Sequence, residues 1–194
     1  MTRPNREGTN HNPWTKLSSR EIYANPWIEV REDQVLRPDG QPGIYGVVHF
    51  KNKAVGVLPV DDDGQVWLVG QYRYPLNAFS WEIPEGGGLD DEAPEEAARR
   101  ELREETGFTA GELEFLSRSH LSNSVSDEVA YLYRATALTP GESQPEGTEQ
   151  LQVQRFDWPT VWQMVLDGTI TDSMSVIALL HEGVRRASTQ SPRS

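Results

Sequence analysis

The chain has 194 residues and no cysteine, with 36% apolar residues that include six Trp, six Tyr and five Phe. That is enough for one substantial packed core; it leaves a second full domain cramped and excludes disulfides and thiolate metal sites. The formal net charge of −12 repels nucleic acid unless basic residues cluster, and no cluster is visible. No apolar run approaches the roughly 18 residues of a membrane span. Met1 to Pro13 is polar and has no apolar signal core, so a cytoplasmic location without membrane or nucleic-acid partners is expected.

In chain order, residues 1–13 and 188–194 read as disordered polar tails. Residues 14–50 read as an N-terminal β extension, with Trp27–Leu36 extended, Arg37-Pro38-Asp39-Gly40 a turn and Ile44–Phe50 a strand. A main domain is expected over 51–187. It opens with strands Ala54–Val60 and Val66–Tyr72, joined as a tight hairpin by Asp61-Asp62-Asp63-Gly64. A short run, Trp81-Glu82-Ile83, leads into Pro84-Glu85-Gly86-Gly87-Gly88, read as a glycine loop. A helix is expected from Glu92 to Thr106, capped by Asp90 or Asp91, with Pro94 in its first turn and Gly107 as its stop. Strands Glu112–Ser119, Glu128–Ala137 and Gln150–Trp158 follow, then helices Pro159–Leu166 and Thr171–Arg186. The mix is α/β, with a mixed sheet and helices on both faces.

The acids are unevenly spread: nine of the 30 fall between Glu85 and Glu105. On the helix after the glycines, Glu101, Glu104 and Glu105 are spaced i, i+3, i+4 and share one face, while Ala98 and Leu102 turn toward the sheet. The ordinary meaning of a glutamate-rich helix is a solvated face. Two features oppose it here: a triple glycine that lets backbone approach a ligand, and interleaved Arg99, Arg100 and Arg103, which hold such a cluster in place. Converging carboxylates repel, and a divalent cation relieves them; oxygen donors of this kind suit Mg²⁺ or Mn²⁺.

Gly86, five residues, Glu92, seven residues, then Arg100-Glu101-Leu102-Arg103-Glu104-Glu105-Thr106-Gly107-Phe108 meets every fixed position of the Nudix box. The chain therefore resembles the Nudix hydrolases over about residues 25–187. The flanks Gln71-Tyr72-Arg73-Tyr74-Pro75, Trp81 to Gly86 and Asp167 to Asp172 resemble the subgroup acting on ADP-ribose and nucleoside-diphosphate sugars. The resemblance implies a Nudix-type α/β/α sandwich and metal-dependent cleavage of a pyrophosphate into a nucleoside monophosphate and a sugar phosphate, with more than one Mg²⁺ or Mn²⁺ per site. Glu101 and Glu105 would be the main metal ligands, Glu104 a further ligand or water contact, and the Glu85 main-chain carbonyl would complete the sphere. Arg100 would orient the glutamates through Glu92 or Glu104, and Gly86 and Gly107 would be conformational.

The subgroup takes its general base from a later loop; Glu149 is the first choice, Glu146 the second, with Glu142 nearby. Arg73 is a candidate for phosphate or ribose, and Tyr72, Tyr74 and Trp81 for the base, each ring being as readily a core residue. Glu82 is a candidate for the sugar or a further metal, and Asp127 and Glu128 for substrate or metal. His49, His120 and His181 read as structural. Asn123 stands where the ADP-ribose subgroup carries proline, which leaves GDP-mannose or another nucleotide sugar open. A nucleoside-triphosphate sanitiser and a non-catalytic Nudix-like ligand sensor are the competing readings; the long N-terminal extension opposes the first and the complete set of box glutamates the second. A homodimer, with the extension reaching its partner, is expected from the subgroup.

Overall fold

The computed structural model describes residues 11–89, 91–143 and 151–190. The described residues divide into two compact units, one running to Lys51 and including Ser124–Asp127, the other formed by the rest.

The first unit is an antiparallel sheet of β1 (Thr15–Ala24), β2 (Ile28–Leu36) and β3 (Pro42–Phe50), in that order. Its first turn is held by Asn25, whose Oδ1 accepts the amides of Trp27 and Ile28, each at 2.8 Å. Its second is the expected Arg37–Gly40 turn, where Gly40 takes φ +78° and Asp39 Oδ1 accepts the Gln41 amide at 3.0 Å. Strand β1 was not expected as a separate element: every residue in it is exposed, so no apolar alternation marks it in the sequence. Ser124–Asp127 lies along β3, with Val48 N–H donating to Val125 at 2.8 Å and His49 Nδ1 lying 2.7 Å from Asp127 Oδ2.

The second unit has a four-stranded sheet in the order β7 (Glu85–Gly88), β4 (Lys53–Pro59), β9 (Val129–Thr139), β8 (Thr109–His120). It is mixed: β4 and β9 run parallel and the other pairs antiparallel. Side chains alternate across it. Val55 and Val57 of β4 and Tyr133 and Ala135 of β9 pack on Ala97, Ala98 and Leu102 of helix α1 (Pro94–Thr106). Leu58 of β4 and Ala130 and Leu132 of β9 face the other way, onto Met174, Ala178 and Leu179 of α3 (Ser173–Gln190) and Val161 and Met164 of α2 (Trp158–Leu166). Helices therefore cover both faces, as expected, and burying each such Leu or Val contributes about 1.5–3 kcal/mol. Strands β10 (Gln152–Phe156), β5 (Val66–Arg73) and β6 (Ala78–Glu82) form a second, antiparallel sheet.

Several boundaries differ from the sequence reading. The Asp61–Gly64 turn exists, with Gly64 N–H on Asp61 O at 2.9 Å, but its flanking strands share only the Val60–Val66 bridge and pass into different sheets. The glycine segment is strand β7, paired with β4 opposite Lys53–Gly56, because ladder bonds outweigh glycine's weak strand preference. Helix α1 starts at Pro94 after Ala93, with no side-chain cap; Asp91 lies in a turn outside it and Asp90 lies outside the described residues. Trp158 belongs to α2, capped by Asp157, rather than to β10. Helix α3 continues to Gln190, past the expected start of a tail at 188. Among the described residues no helix is long and apolar enough to cross a membrane.

Candidate active site

Helix α1 buries more than its apolar stripe. Glu101 is 8% exposed and Glu105 2% exposed, one helical step beside the fully buried Ala98 and Leu102. A carboxylate buried this deeply needs donors or positive charge. Glu105 Oε2 accepts the Glu85 amide at 3.0 Å, which ties the helix to the first residue of β7. Glu101 lies over Gly86: a Cβ added there would fall within 2.5 Å of all three carboxylate atoms. Gly86 is therefore required for close approach and not for a positive φ. Gly107 is required for both, since it ends α1 at φ +78° and an added Cβ would stand 2.6 Å from Gly141 O, at the root of the segment after β9.

Arg100 is the counter-charge of the helix. Its guanidinium grips Glu92 with two bonds, Nε to Oε1 at 3.1 Å and Nη2 to Oε2 at 3.0 Å. Nη1 donates to Glu101 at 2.7 Å and Glu104 at 2.9 Å, and Nη2 also reaches Gly87 O at 2.8 Å. One planar fork thus joins all three glutamates to the β7 backbone, which a lysine could not do. Hydrogen bonding from Arg100 holds the Glu92 carboxyl below the usual range. Glu104 is more exposed than Glu101 and Glu105, so the three acids of the expected face are not equivalent.

A second cluster adjoins the first through Glu85. Arg73 at the end of β5 donates Nε and Nη2 to Glu82 of β6, at 2.9 Å and 2.5 Å to Oε2, and Nη2 to Glu85 Oε1 at 2.6 Å. Burial works against its charge, but Glu82 and Glu85 outweigh it and push the guanidinium pKa further up. Glu85 Oε2 is buried with no hydrogen-bond partner among the described residues. Burial first, then the like charges of Asp172 and Glu82, push the Glu85 carboxyl well above the ordinary range against the pull of Arg73. Asp172 caps α3, accepting the Ser175 amide at 2.7 Å, and Ser175 Oγ accepts the Ile83 amide at 2.9 Å.

Across the two clusters stand the carboxylates of Glu82, Glu85, Glu92, Glu101, Glu104, Glu105 and Asp172 and the guanidiniums of Arg73 and Arg100. That acid-rich set, all of it oxygen, fits hard divalent cations in charge and donor type. Among the described residues no three acidic or imidazole side chains already converge on one cation position.

The other expected residues fall as follows. Arg73 bonds Glu82 through Nε and Nη2 and Glu85 through Nη2. Trp81 packs edge-on between Phe79 and Phe156 against the core, while Tyr74 is 91% exposed and Tyr72 59% exposed, its hydroxyl on Asn77. Burial raises the Glu128 carboxyl, and its main-chain oxygen accepts the Leu121 amide at 3.2 Å. Asp127 pairs with His49. Glu146 and Glu149 lie outside the described residues, and Glu142 is exposed. Sequence reasoning missed Ser175 and gave Asp172 no role; the only local signal was Asp172 as a helix cap, since both act across about 90 residues of chain.

Helices on both faces of a mixed sheet, one of them carrying acids joined by Arg100, give an acid-lined site suited to hard cations. Comparison with known proteins gives the family. Residues 50–179 match the NUDIX domain, and residues 14–48 match the nucleoside diphosphate sugar hydrolase N-terminal domain. The chain is 30% identical over 161 residues to an ADP-ribose pyrophosphatase of Bacillus subtilis, covering 83% of this chain and 81% of that one. It is 32% identical over 170 residues to an ADP-ribose pyrophosphatase of Mycobacterium tuberculosis, covering 84% and 80%. A crystal structure of an ADP compounds hydrolase superposes with a TM-score of 0.84 at 21% identity, covering 94% of this chain and 99% of that one, a likeness of fold. The chain belongs to the Nudix family, in its branch of ADP-ribose and nucleoside-diphosphate-sugar pyrophosphatases. Members of this family generally use divalent metal ions.

Proposed function

We propose that this protein hydrolyses the pyrophosphate of ADP-ribose and related nucleoside-diphosphate sugars with Mg²⁺, or Mn²⁺, releasing a nucleoside monophosphate and a sugar phosphate. The observation that carries the reading is the burial of Glu101 and Glu105 against Glu85 and Gly86 under the Arg100 fork. Glu101 and Glu105, with the Glu85 carbonyl, are the assigned metal ligands, and Glu104 is a further ligand or a water contact. Divalent cations bound there supply a Lewis acid that activates water and neutralises the pyrophosphate. Arg100 orients the three glutamates, and Glu92 holds Arg100. Arg73, already held by Glu82 and Glu85, is assigned to ordering those acids rather than to a substrate phosphate. The exposed rings of Tyr72 and Tyr74 remain the candidates for stacking on the base. Glu149, then Glu146, is assigned as general base.

The N-terminal match over residues 14–48 favours a nucleotide sugar over a nucleoside triphosphate, and the retained box glutamates favour catalysis over sensing. Asn123 in the exposed segment after β8 keeps GDP-mannose as the second reading. A homodimer is part of the proposal: the first unit exposes Leu17, Ile22, Tyr23, Trp27 and Ile44, an apolar set that a second copy would cover. The test is a panel of ADP-ribose, GDP-mannose, UDP-glucose and dGTP with Mg²⁺ and product identification, alongside light scattering for the mass. Turnover of ADP-ribose that EDTA abolishes and Glu105→Gln removes is expected; activity indifferent to both would overturn the reading.

A further inference from the structure

We infer that Ser175 is a positioning residue for this reaction: its hydroxyl fixes the Ile83–Glu85 connection, and through it the acids offered to divalent cations. The inference rests on the metal-dependent hydrolase reading. Strand β6 ends at Glu82, opposite Val69, and β7 begins at Glu85, opposite Gly56. Ile83 and Pro84 lie between the two sheets, so the Ile83 amide belongs to neither ladder. Its partner is Ser175 Oγ at 2.9 Å, and both residues are fully buried. Pro84 has no amide to offer, and its carbonyl accepts from Val57 N–H at 2.9 Å. The connection is thus anchored by one bond to the β4 backbone and one to a single hydroxyl.

A buried amide that loses its acceptor is strongly disfavoured, so removing Oγ drives the connection to shift. Any shift is passed to Glu82 on one side, which is bonded to Arg73, and to Glu85 on the other, whose amide holds Glu105. Helix α3 can serve as the fixed point. Asp172 caps its first turn at the Ser175 amide, and Glu182 bonds Arg134 of β9 at 2.9 Å. Ile83 packs closely on β4: a Cβ on Gly56 would stand 2.9 Å from Ile83 Cδ1.

The test uses the full chain with Ser175→Ala and with the near-isosteric Ser175→Cys, a poor acceptor that keeps the question open should the alanine variant fail to fold. Mn²⁺ binding to the substrate-free protein is titrated by electron paramagnetic resonance, and kcat and KM are measured separately with ADP-ribose. Loss of a hydrogen-bond partner of a metal ligand costs about 10- to 100-fold in affinity or activity, and Ser175, which acts one step further out through Ile83, belongs at the low end of that range. The expected result is a Mn²⁺ affinity about 10-fold weaker and a kcat about 10-fold lower, with KM within about twofold. Wild-type Mn²⁺ affinity in a folded variant, whatever its Tm, overturns the inference. A wild-type protein inactive on every nucleotide sugar would overturn the proposed function instead, and the Mn²⁺ titration would still decide the role of Ser175.

Discussion

Replacing Gly86 by alanine separates catalysis from stability. The new Cβ would fall within 2.5 Å of the Glu101 carboxylate, whereas ordinary contact begins at 3.4 Å, so the carboxylate must withdraw by close to 1 Å. The displaced atoms are the free end of a side chain, and Arg100 keeps its bonds to Glu92, Glu104 and Gly87 O when it loses Glu101. Alanine also recovers about 0.5–1 kcal/mol of backbone entropy in a strand, against about 1.5–3 kcal/mol for a charge-assisted hydrogen bond. The net loss of stability is therefore about 1–2 kcal/mol, a Tm shift of a few degrees for a chain of this size. Activity should fall much further, about 100-fold, the typical cost of a 1 Å misplacement, or about 2.7 kcal/mol of barrier. Gly87→Ala is the matched control, because its Cβ meets the Asn52 side chain, nearest at Nδ2 at 3.2 Å, and not a carboxylate. The assay is kcat with ADP-ribose over a Mg²⁺ titration, beside thermal unfolding. Equal losses in the two variants, or Gly86→Ala within about threefold of wild type, would refute the reasoning.

Other positions give independent readings. Glu85 holds its proton longer in the folded state than in the unfolded chain, so its contribution to stability is full below the ordinary value of 4.5 and is lost as pH rises through the folded value. In EDTA, Glu85→Gln should therefore gain Tm over wild type as pH rises, and a gap that does not change with pH would count against the burial argument. Burial works to raise the Glu182 carboxyl, but bonds from Arg185 and Arg186 and the charge of Arg134 hold it lower, so its contribution is present above pH 4.5 and lost as pH falls through the folded value. Glu182→Gln leaves three arginines without their shared partner and should cost about 3 kcal/mol, or roughly 6–12 °C in Tm at pH 7, with the difference shrinking in acid. Gly107 and Gly168 both take φ +78°, but an added Cβ meets the Gly141 carbonyl at the first and nothing within 4 Å at the second. Gly168→Ala should cost about 1 kcal/mol and Gly107→Ala about 1–3 kcal/mol more by chemical denaturation; equal costs would mean that the contact with Gly141 is slack.

The parts legible in the sequence are those set by local period. The box helix shows its face because Glu101 and Glu105 are one turn apart, and Ala98 and Leu102 repeat that spacing on the sheet side. Strand β1 is exposed on both faces and has no period to read. Strand β7 is three-quarters glycine, so only its pairing with β4 makes it a strand. The site was half legible for a related reason. Arg100 reaches Glu104 along its own helix, but Arg73 reaches Glu82 and Glu85 only because β5 and β6 pair, and Asp172 and Ser175 arrive from a helix nearly 90 residues away. The motif around Arg73 gives no sign that its Nε and Nη2 bond Glu82 and Glu85.

Those bonds change how an acidic chain can take an acidic substrate. Arg73 and Arg100 are both bonded to carboxylates, so neither gives up those bonds to a pyrophosphate without abandoning a buried acid. Divalent cations supply positive charge for the pyrophosphate without breaking those pairs, and the oxygen donors of Glu101, Glu105 and Glu85 are where they would be held. On this reasoning the arginines set geometry and the cations set affinity for the substrate. Arg73→Lys, which keeps the charge and loses the fork, should therefore lower kcat more than it raises KM. Lower Mg²⁺ should raise KM first. If Arg73→Lys instead raised KM alone, Arg73 would be a phosphate ligand after all, released from Glu82 when substrate enters.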